Sequence, residues 1–269
     1  MNLIPVFDVD DPRISAFRDV KERDLTGRQG LFVAEGEVVL RVLASPSSRC
    51  APGAVLIAEK RLEALREILE RLPGDVPVHT APQDVLDGIA GFHLHRGILA
   101  LGCKPEPLAL EAFLDGLPER AVVVGACGIG NHDNMGGLFR NAAAFGAAGL
   151  LLDKTCCDPF YRKAIRVSVG AALRTPFVEG VTAAAMVEAL EARGFEVLAL
   201  TPSAVETLSE LKPARRTAIL LGSEGPGLPA EVIARCRPLG IRMSGGFDSL
   251  NVAATSAVAL HHLTTAGAV

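Results

Sequence analysis

From Ala121 onwards, short apolar runs (AVVVGA, GLLLD, FEVLAL, AILLG and a stretch around Ile241) recur with helical patterns between them. Runs this short and this apolar predict strands buried on both faces, the condition of a mostly parallel sheet covered by helices. Ligands of such sheets bind beyond the carboxyl ends of the strands, and the polar motifs of this half each follow a predicted strand.

An earlier, separate pattern occupies Leu31 to Gly102. It reads LFVAEG, EVVLRVLA, AVLIA, the amphipathic EKRLEALREILERL, VPVHT and GILALG. This predicts a compact βα unit of roughly 90 residues including a leading helix. KPEPLALEAFLDGLPER follows, with Lys104 to Pro107 as a linker and a short helix after it. The 269 residues are enough for two domains, each with its own core. The divisions expected are 1–103, 104–119 and 120–269.

Composition narrows the class. With 49% hydrophobic residues the chain is globular, and it contains no apolar run of the roughly 18 residues that a bilayer span needs. MNLIPVFDVDDPR has no basic segment leading into an apolar one, so a soluble, cytoplasmic protein is expected. Cys50, Cys103, Cys127, Cys156, Cys157 and Cys236 are scattered without C-x-x-C spacing, which predicts reduced core thiols and no metal site. The net charge of -4 argues weakly against a nucleic-acid partner. Its distribution differs: Arg13, Arg18, Lys21, Arg23 and Arg28 form one basic cluster, and Lys154, Arg162, Lys163, Arg166 and Arg174 another. Either is a solvated helix face or a phosphate-contacting one.

Three motifs carry polar groups into apolar surroundings. In GACGIGNHDNMGGLFRNAAAFGAAGLLL, Gly125, Gly128 and Gly130 are spaced GxxGxG, a weak dinucleotide signal. Asn134 and Arg140 are more informative. They span a turn into a helix and are expected to face the strand ends, with Leu138, Phe139, Ala142, Ala143 and Phe145 packed inward. Arg140 is the only charge between Gly136 and Gly146, so no polar stripe accounts for it. The second motif, Ile219 to Leu228, breaks from a strand into GSEGPGL, which holds Glu224 at the end of a buried strand on a backbone of unusual dihedrals. The third, IRMSGGFDSLNVAATSAVAL, runs a strand through a Gly-Gly turn into Ser249, Leu250 and Asn251. A helix is expected to begin near Leu250, with Ser249 suited to cap it and Asn251 in its first turn.

In this order and at these separations, the three motifs resemble the SpoU/TrmH family of S-adenosylmethionine-dependent RNA ribose 2'-O-methyltransferases, within the knotted SPOUT class. The resemblance implies an α/β fold with a mostly parallel C-terminal sheet, a deep trefoil knot, and a smaller L30e-like α/β domain in front that binds RNA. It implies Asn134, Arg140, Glu224, Ser249 and Asn251 as catalytic positions, with Arg140 essential and Asn134 positioning it. Leu221, Gly222, Ile241, Met243 and Leu250 would bind S-adenosylmethionine. RNA (rRNA or tRNA) and a second copy of the chain are the implied partners. One departure is Arg242, where the family commonly has proline. His132 would line the RNA side, with no catalytic role.

Two other readings stand beside this one. A noncatalytic RNA-binding protein could retain the same fold. A nicotinamide-dependent oxidoreductase fits the glycine turn, yet the spacing is GxxGxG and not the GxGxxG of a dinucleotide loop, and no hydride-transfer constellation is evident.

Overall fold

The computed structural model describes residues 2–18, 30–90, 96–245 and 249–265. Lys21, Arg23 and Arg28 of the early basic cluster lie outside these residues, as does Gly246 of the Gly-Gly turn. The chain divides into two compact units: Met1–Pro105 with Asp158–Arg174, and Glu106–Cys157 with Thr175–Val269.

The first unit is built on β1 (Asn2–Pro5), β2 (Leu31–Glu35), β3 (Ala51–Ala58), β4 (Pro77–Ala81) and β5 (Ile98–Cys103), ordered β1-β4-β3-β5-β2. β4 runs parallel to β1 and β3, whereas β5 runs antiparallel to β2 and β3. Its helices are α1 (Glu37–Leu43), α2 (Leu62–Leu69) and α3 (Gln83–Ala90). α2 buries Leu65, Ile68 and Leu69, the i, i+3, i+4 stripe that its sequence predicts. Phe32 pairs across the ladder with Gly102, and a Cβ there would sit 2.2 Å from the Phe32 ring. β1 carries no readable signal, being a four-residue, largely exposed edge strand.

The second unit begins with α4 (Leu110–Asp115), β6 (Ala121–Ala126), α5 (His132–Phe145) and β7 (Gly149–Asp153). Residues Asp158–Arg174, including α6 (Arg162–Val167), count with the first unit, although their pattern reads as part of 120–269. The reason is packing at long range. Phe160 stacks on Phe32 with centroids 5.1 Å apart, and Lys104 lies 2.5 Å from Asp158. Neither contact leaves a trace in local composition.

The second unit continues with β8 (Phe177–Val181), α7 (Ala183–Glu191), β9 (Glu196–Leu200), β10 (Arg216–Leu221), α8 (Ala230–Ile233), β11 (Arg237–Leu239) and α9 (Val252–Thr265). The sheet order is β11-β9-β10-β6-β7-β8 and every pairing is parallel. Val123, Val124, Leu150, Leu151, Ile219 and Leu220 are fully buried, as the doubly covered sheet requires. β8 escapes sequence reading because Glu179 and Gly180 interrupt its apolar run. The strand expected around Ile241 is displaced to Arg237–Leu239. Beyond Leu239 no further pairing with β9 follows, the Gly240 N–H donating on the other edge to the Glu206 carbonyl at 2.8 Å, and Ile241 and Met243 lie in a loop.

None of the six cysteines is in a disulfide, and burial pushes the thiols of Cys50, Cys127 and Cys156 up to about 12. Among the described residues no helix is long and apolar enough to cross a membrane.

Candidate active site

β6 and β10 are neighbours, with Ala126 opposite Leu221. The chain leaves β6 towards β7 on one side and leaves β10 towards β11 on the other. Their carboxyl ends therefore flank a topological switch point, where an open parallel sheet presents a crevice.

After β6 the backbone stays tied to β10, the Cys127 N–H donating to the Leu221 carbonyl at 2.9 Å. Gly128 then takes a φ of +71°, and a Cβ on it would lie 3.2 Å from that of Ser223. The Gly128 N–H donates to Asp153 Oδ1 at 3.1 Å, and the same oxygen accepts from the backbone and hydroxyl of Thr155. Burial pushes the Asp153 carboxyl up, but these donors outweigh it and hold the group below the ordinary aspartate range. Asn131 caps α5, its side chain accepting from the Asp133 N–H at 2.8 Å. Asn134 follows in the first turn, buried, and donates Nδ2 to Glu224 Oε1 at 2.8 Å.

Glu224 is held by a loop that only glycine permits. A Cβ at Gly222 would fall 2.2 Å from the carbonyl carbon of Gly227, and Gly225 and Gly227 adopt φ of +87° and +70°. Asn251, not Ser249, caps the last helix, which starts at Val252. Its Oδ1 accepts from the N–H groups of Ala253 and Ala254 at 2.9 and 3.3 Å. That commitment turns the amide nitrogen of Asn251 towards the crevice, where it donates to Asn134 Oδ1 at 2.8 Å and Glu224 Oε1 at 3.2 Å. One carboxylate oxygen thus collects two amides from two distant helices.

The helices bearing those amides pack closely. A Cβ at Gly137 would lie 2.5 Å from that of Ala253. Asn141 Nδ2 donates to the Ala253 carbonyl at 2.7 Å and to Ser256 Oγ at 2.8 Å. Asn141 was not singled out in the sequence, because its neighbour Arg140 carries the only charge of the helix beyond its first turn.

Beside this network lies a cavity of about 740 Å³, within the range of small-molecule sites. Leu221, Gly222, Ile241, Met243 and Leu250 all line it, as do Glu224, Ser249 and Asn251. Leu200, Thr201 and Pro202 line it too and were missed, although their place at the carboxyl end of β9 follows from the strand-end rule. Among the described lining residues Glu224 is the only charged one. An elongated, largely apolar ligand with a positive charge near Glu224 is what these walls suit.

Arg140 stands apart. It is exposed, is not among the residues lining the cavity, and makes no hydrogen bond or ion pair among the described residues. Six residues along a helix are about 120° around its axis from coincidence, so Asn134 and Arg140 cannot share a face as expected. Leu138, Phe139 and Ala142 are buried, whereas Ala143 and Phe145 are not, Phe145 meeting the His261 ring edge-on.

Residues 121–261 match the family described as SpoU rRNA Methylase. The chain is 37% identical over 278 residues to an uncharacterized tRNA/rRNA methyltransferase of Mycobacterium tuberculosis (strain ATCC 25618 / H37Rv), covering 97% of this chain and 92% of that protein. Its fold is similar to that of an AdoMet-bound rRNA methyltransferase from Sinorhizobium meliloti, with a TM-score of 0.78, 20% identity and 97% of each chain covered. It is similar also to an RNA 2'-O ribose methyltransferase structure, with a TM-score of 0.77, 22% identity, and 97% and 98% of the two chains covered.

Proposed function

Because the chain belongs to the SpoU rRNA methylase family, we propose that it transfers a methyl group from S-adenosylmethionine to a ribose 2'-hydroxyl of rRNA or tRNA. The observation that carries this reading is the cavity at the β9 and β10 ends, whose one charged side chain among the described lining residues is a carboxylate held by two amides. A sulfonium donor brings positive charge, which Glu224 complements, and an adenosine portion, which suits the apolar Leu221, Ile241, Met243 and Leu250. When bound, the donor supplies a methyl group activated by that sulfonium.

The chain's own residues do the rest. The glycine loop from Gly222 to Gly227 presents bare backbone to the ligand. Burying the ligand's charge favours a transfer that removes it, and fixed walls supply alignment for in-line attack. Asn134, Glu224 and Asn251 act as one hydrogen-bonded unit that keeps the three loops in register, with Ser249 beside the transfer point. Arg140, exposed on α5, grips a phosphate of the RNA bidentately so that the ribose hydroxyl is held in line.

The same reading takes the first unit as an L30e-like RNA-binding domain, the approach to α9 as threaded through a trefoil knot, and the protein as a cytoplasmic homodimer with residues of both subunits near the active site. Support for the dimer comes from α9. Residues 249–265 contain no Asp, Glu, Lys or Arg, and Ala254, Val258 and His261 are exposed on it. An uncharged exposed helix face suits a self-complementary interface.

Calorimetric titration with S-adenosylhomocysteine, followed by a labelled-methyl assay on total RNA with mass-spectrometric mapping, tests the reading. Binding plus a 2'-O-methylated nucleotide that disappears in Arg140→Ala is the expected result. Absence of any binding heat would overturn it, and binding with no transfer would favour the noncatalytic alternative.

A further inference from the structure

The turn from β2 into α1 reads Glu35-Gly36-Glu37, and five arginines from four separate parts of the first unit converge on it. Arg41 and Arg61 pair with the two oxygens of Glu37 at 3.0 and 2.9 Å. Arg162 and Arg166 approach Glu35 Oε2 at 3.7 and 4.0 Å. Arg96 lies across the bare backbone of Gly36, where φ is +91° and a Cβ would sit 3.0 Å from the arginine Cδ.

The cluster does not satisfy itself. Both arginine approaches to Glu35 are longer than a hydrogen bond, and the buried Glu35 Oε2 has no hydrogen-bond partner. Arg61 Nε is likewise buried and unbonded. Setting Arg162 aside, four arginines still outnumber two carboxylates, three of them paired with or near a carboxylate and Arg96 lying over Gly36. The side chains of the paired arginines are 34% to 49% exposed, so a ligand can reach them. The exposed Glu37 pairs contribute little to stability, and the buried Glu35 carboxylate needs one counter-charge, not two, so the turn gathers more cations than its own charges require. By contrast, Arg13 and Arg18 of the early basic cluster each have a carboxylate of their own, Asp11 and Asp10.

We propose that the Glu35-Gly36-Glu37 turn and its arginines form a binding site for RNA phosphodiesters. Guanidinium forks match phosphate oxygens bidentately, and the buried Glu35 carboxylate holds the α6 arginines near one position so that less freedom is lost on binding. The inference rests on RNA being the substrate and gives its backbone an anchor on the first unit.

The test uses the full chain and a fluorescein-labelled mixed-sequence oligoribonucleotide, with the association constant measured against KCl concentration. Arg41→Ser, Arg96→Ser and Arg166→Ser, singly and combined, are expected to flatten the slope of log K against log salt by about 0.7 for each single-strand phosphate no longer neutralised. Arg41→Lys keeps the slope, and S-adenosylhomocysteine binding is unchanged throughout. Should the triple variant fail to fold by thermal melting, Arg41→Glu at a half-exposed position gives the same readout. Wild-type slope and affinity in the folded variants would overturn the site while leaving the donor chemistry intact. If wild type ignores S-adenosylhomocysteine but the slopes still fall, the site stands and the methyltransferase reading is lost.

Discussion

The side-chain amide of Asn251 donates to Asn134 Oδ1 at 2.8 Å, joining residues 117 positions apart in sequence. Because Asn251 spends its oxygen on capping α9 and Asn134 spends its nitrogen on Glu224, neither amide can flip without breaking two or more bonds. Donor and acceptor roles in this network are set by helix capping.

Replacing Asn134 with Asp removes a donor and sets a second carboxylate against Glu224. Two carboxylates in such proximity cannot both ionise freely, and one is driven to hold a proton. Methyl transfer by Asn134→Asp should fall by about 100-fold at neutral pH, the scale of a small misplacement in an active site. It should recover partly in mild acid, where Asn134→Ala should not. Single-turnover rates across pH separate the two, and identical profiles would show that charge plays no part.

Arg140→Ala should leave stability within about 0.5 kcal/mol of wild type, as expected for an exposed residue without partners among the described residues, yet remove methyl transfer. Thermal melting and a labelled-methyl assay on the same preparations check this. A large drop in melting temperature would assign the residue to structure instead.

Two glycines should behave differently from each other. At Gly222 an added Cβ meets backbone atoms of Gly227 and Leu228, so Gly222→Ala must displace the loop and abolish S-adenosylhomocysteine binding. At Gly137 the close approach is to the Cβ of Ala253, so Gly137→Ala should overpack α5 against α9 and destabilise by about 1–3 kcal/mol with ligand binding weakened less. Calorimetry and denaturant titration read the two effects independently.

Asp153 makes the first motif's turn sensitive to acid. Its folded pKa is depressed, so its contribution to stability is complete above the ordinary aspartate range and is lost as pH falls through that range to the folded value. Asp153→Asn should therefore be less stable than wild type at neutral pH and converge with it in acid. Parallel stability curves down to the acid limit would contradict this.

Much of the second unit was legible because strand burial is a local property. AVVVGA and AILLG announce β6 and β10 without reference to any partner, and GSEGPGL announces a loop that needs glycine. That Gly222, Met243 and Leu250 would share one site came from the resemblance of the three motifs to the SpoU/TrmH family, and all three lie in the cavity wall. β8 was not, because two atypical residues in five suffice to hide a short strand.

Side-chain direction belonged to tertiary structure. Which of Ser249 and Asn251 caps α9, which way Arg140 points from α5, and the return of Asp158–Arg174 to the first unit all turn on contacts between residues distant in the chain. Sequence periodicity determines which face of an element is apolar, since that depends on spacing along one backbone. What a polar side chain bonds to depends on whatever the fold brings opposite, as Glu224 finds Asn134 and Asn251 and as Glu35 and Glu37 find their arginines.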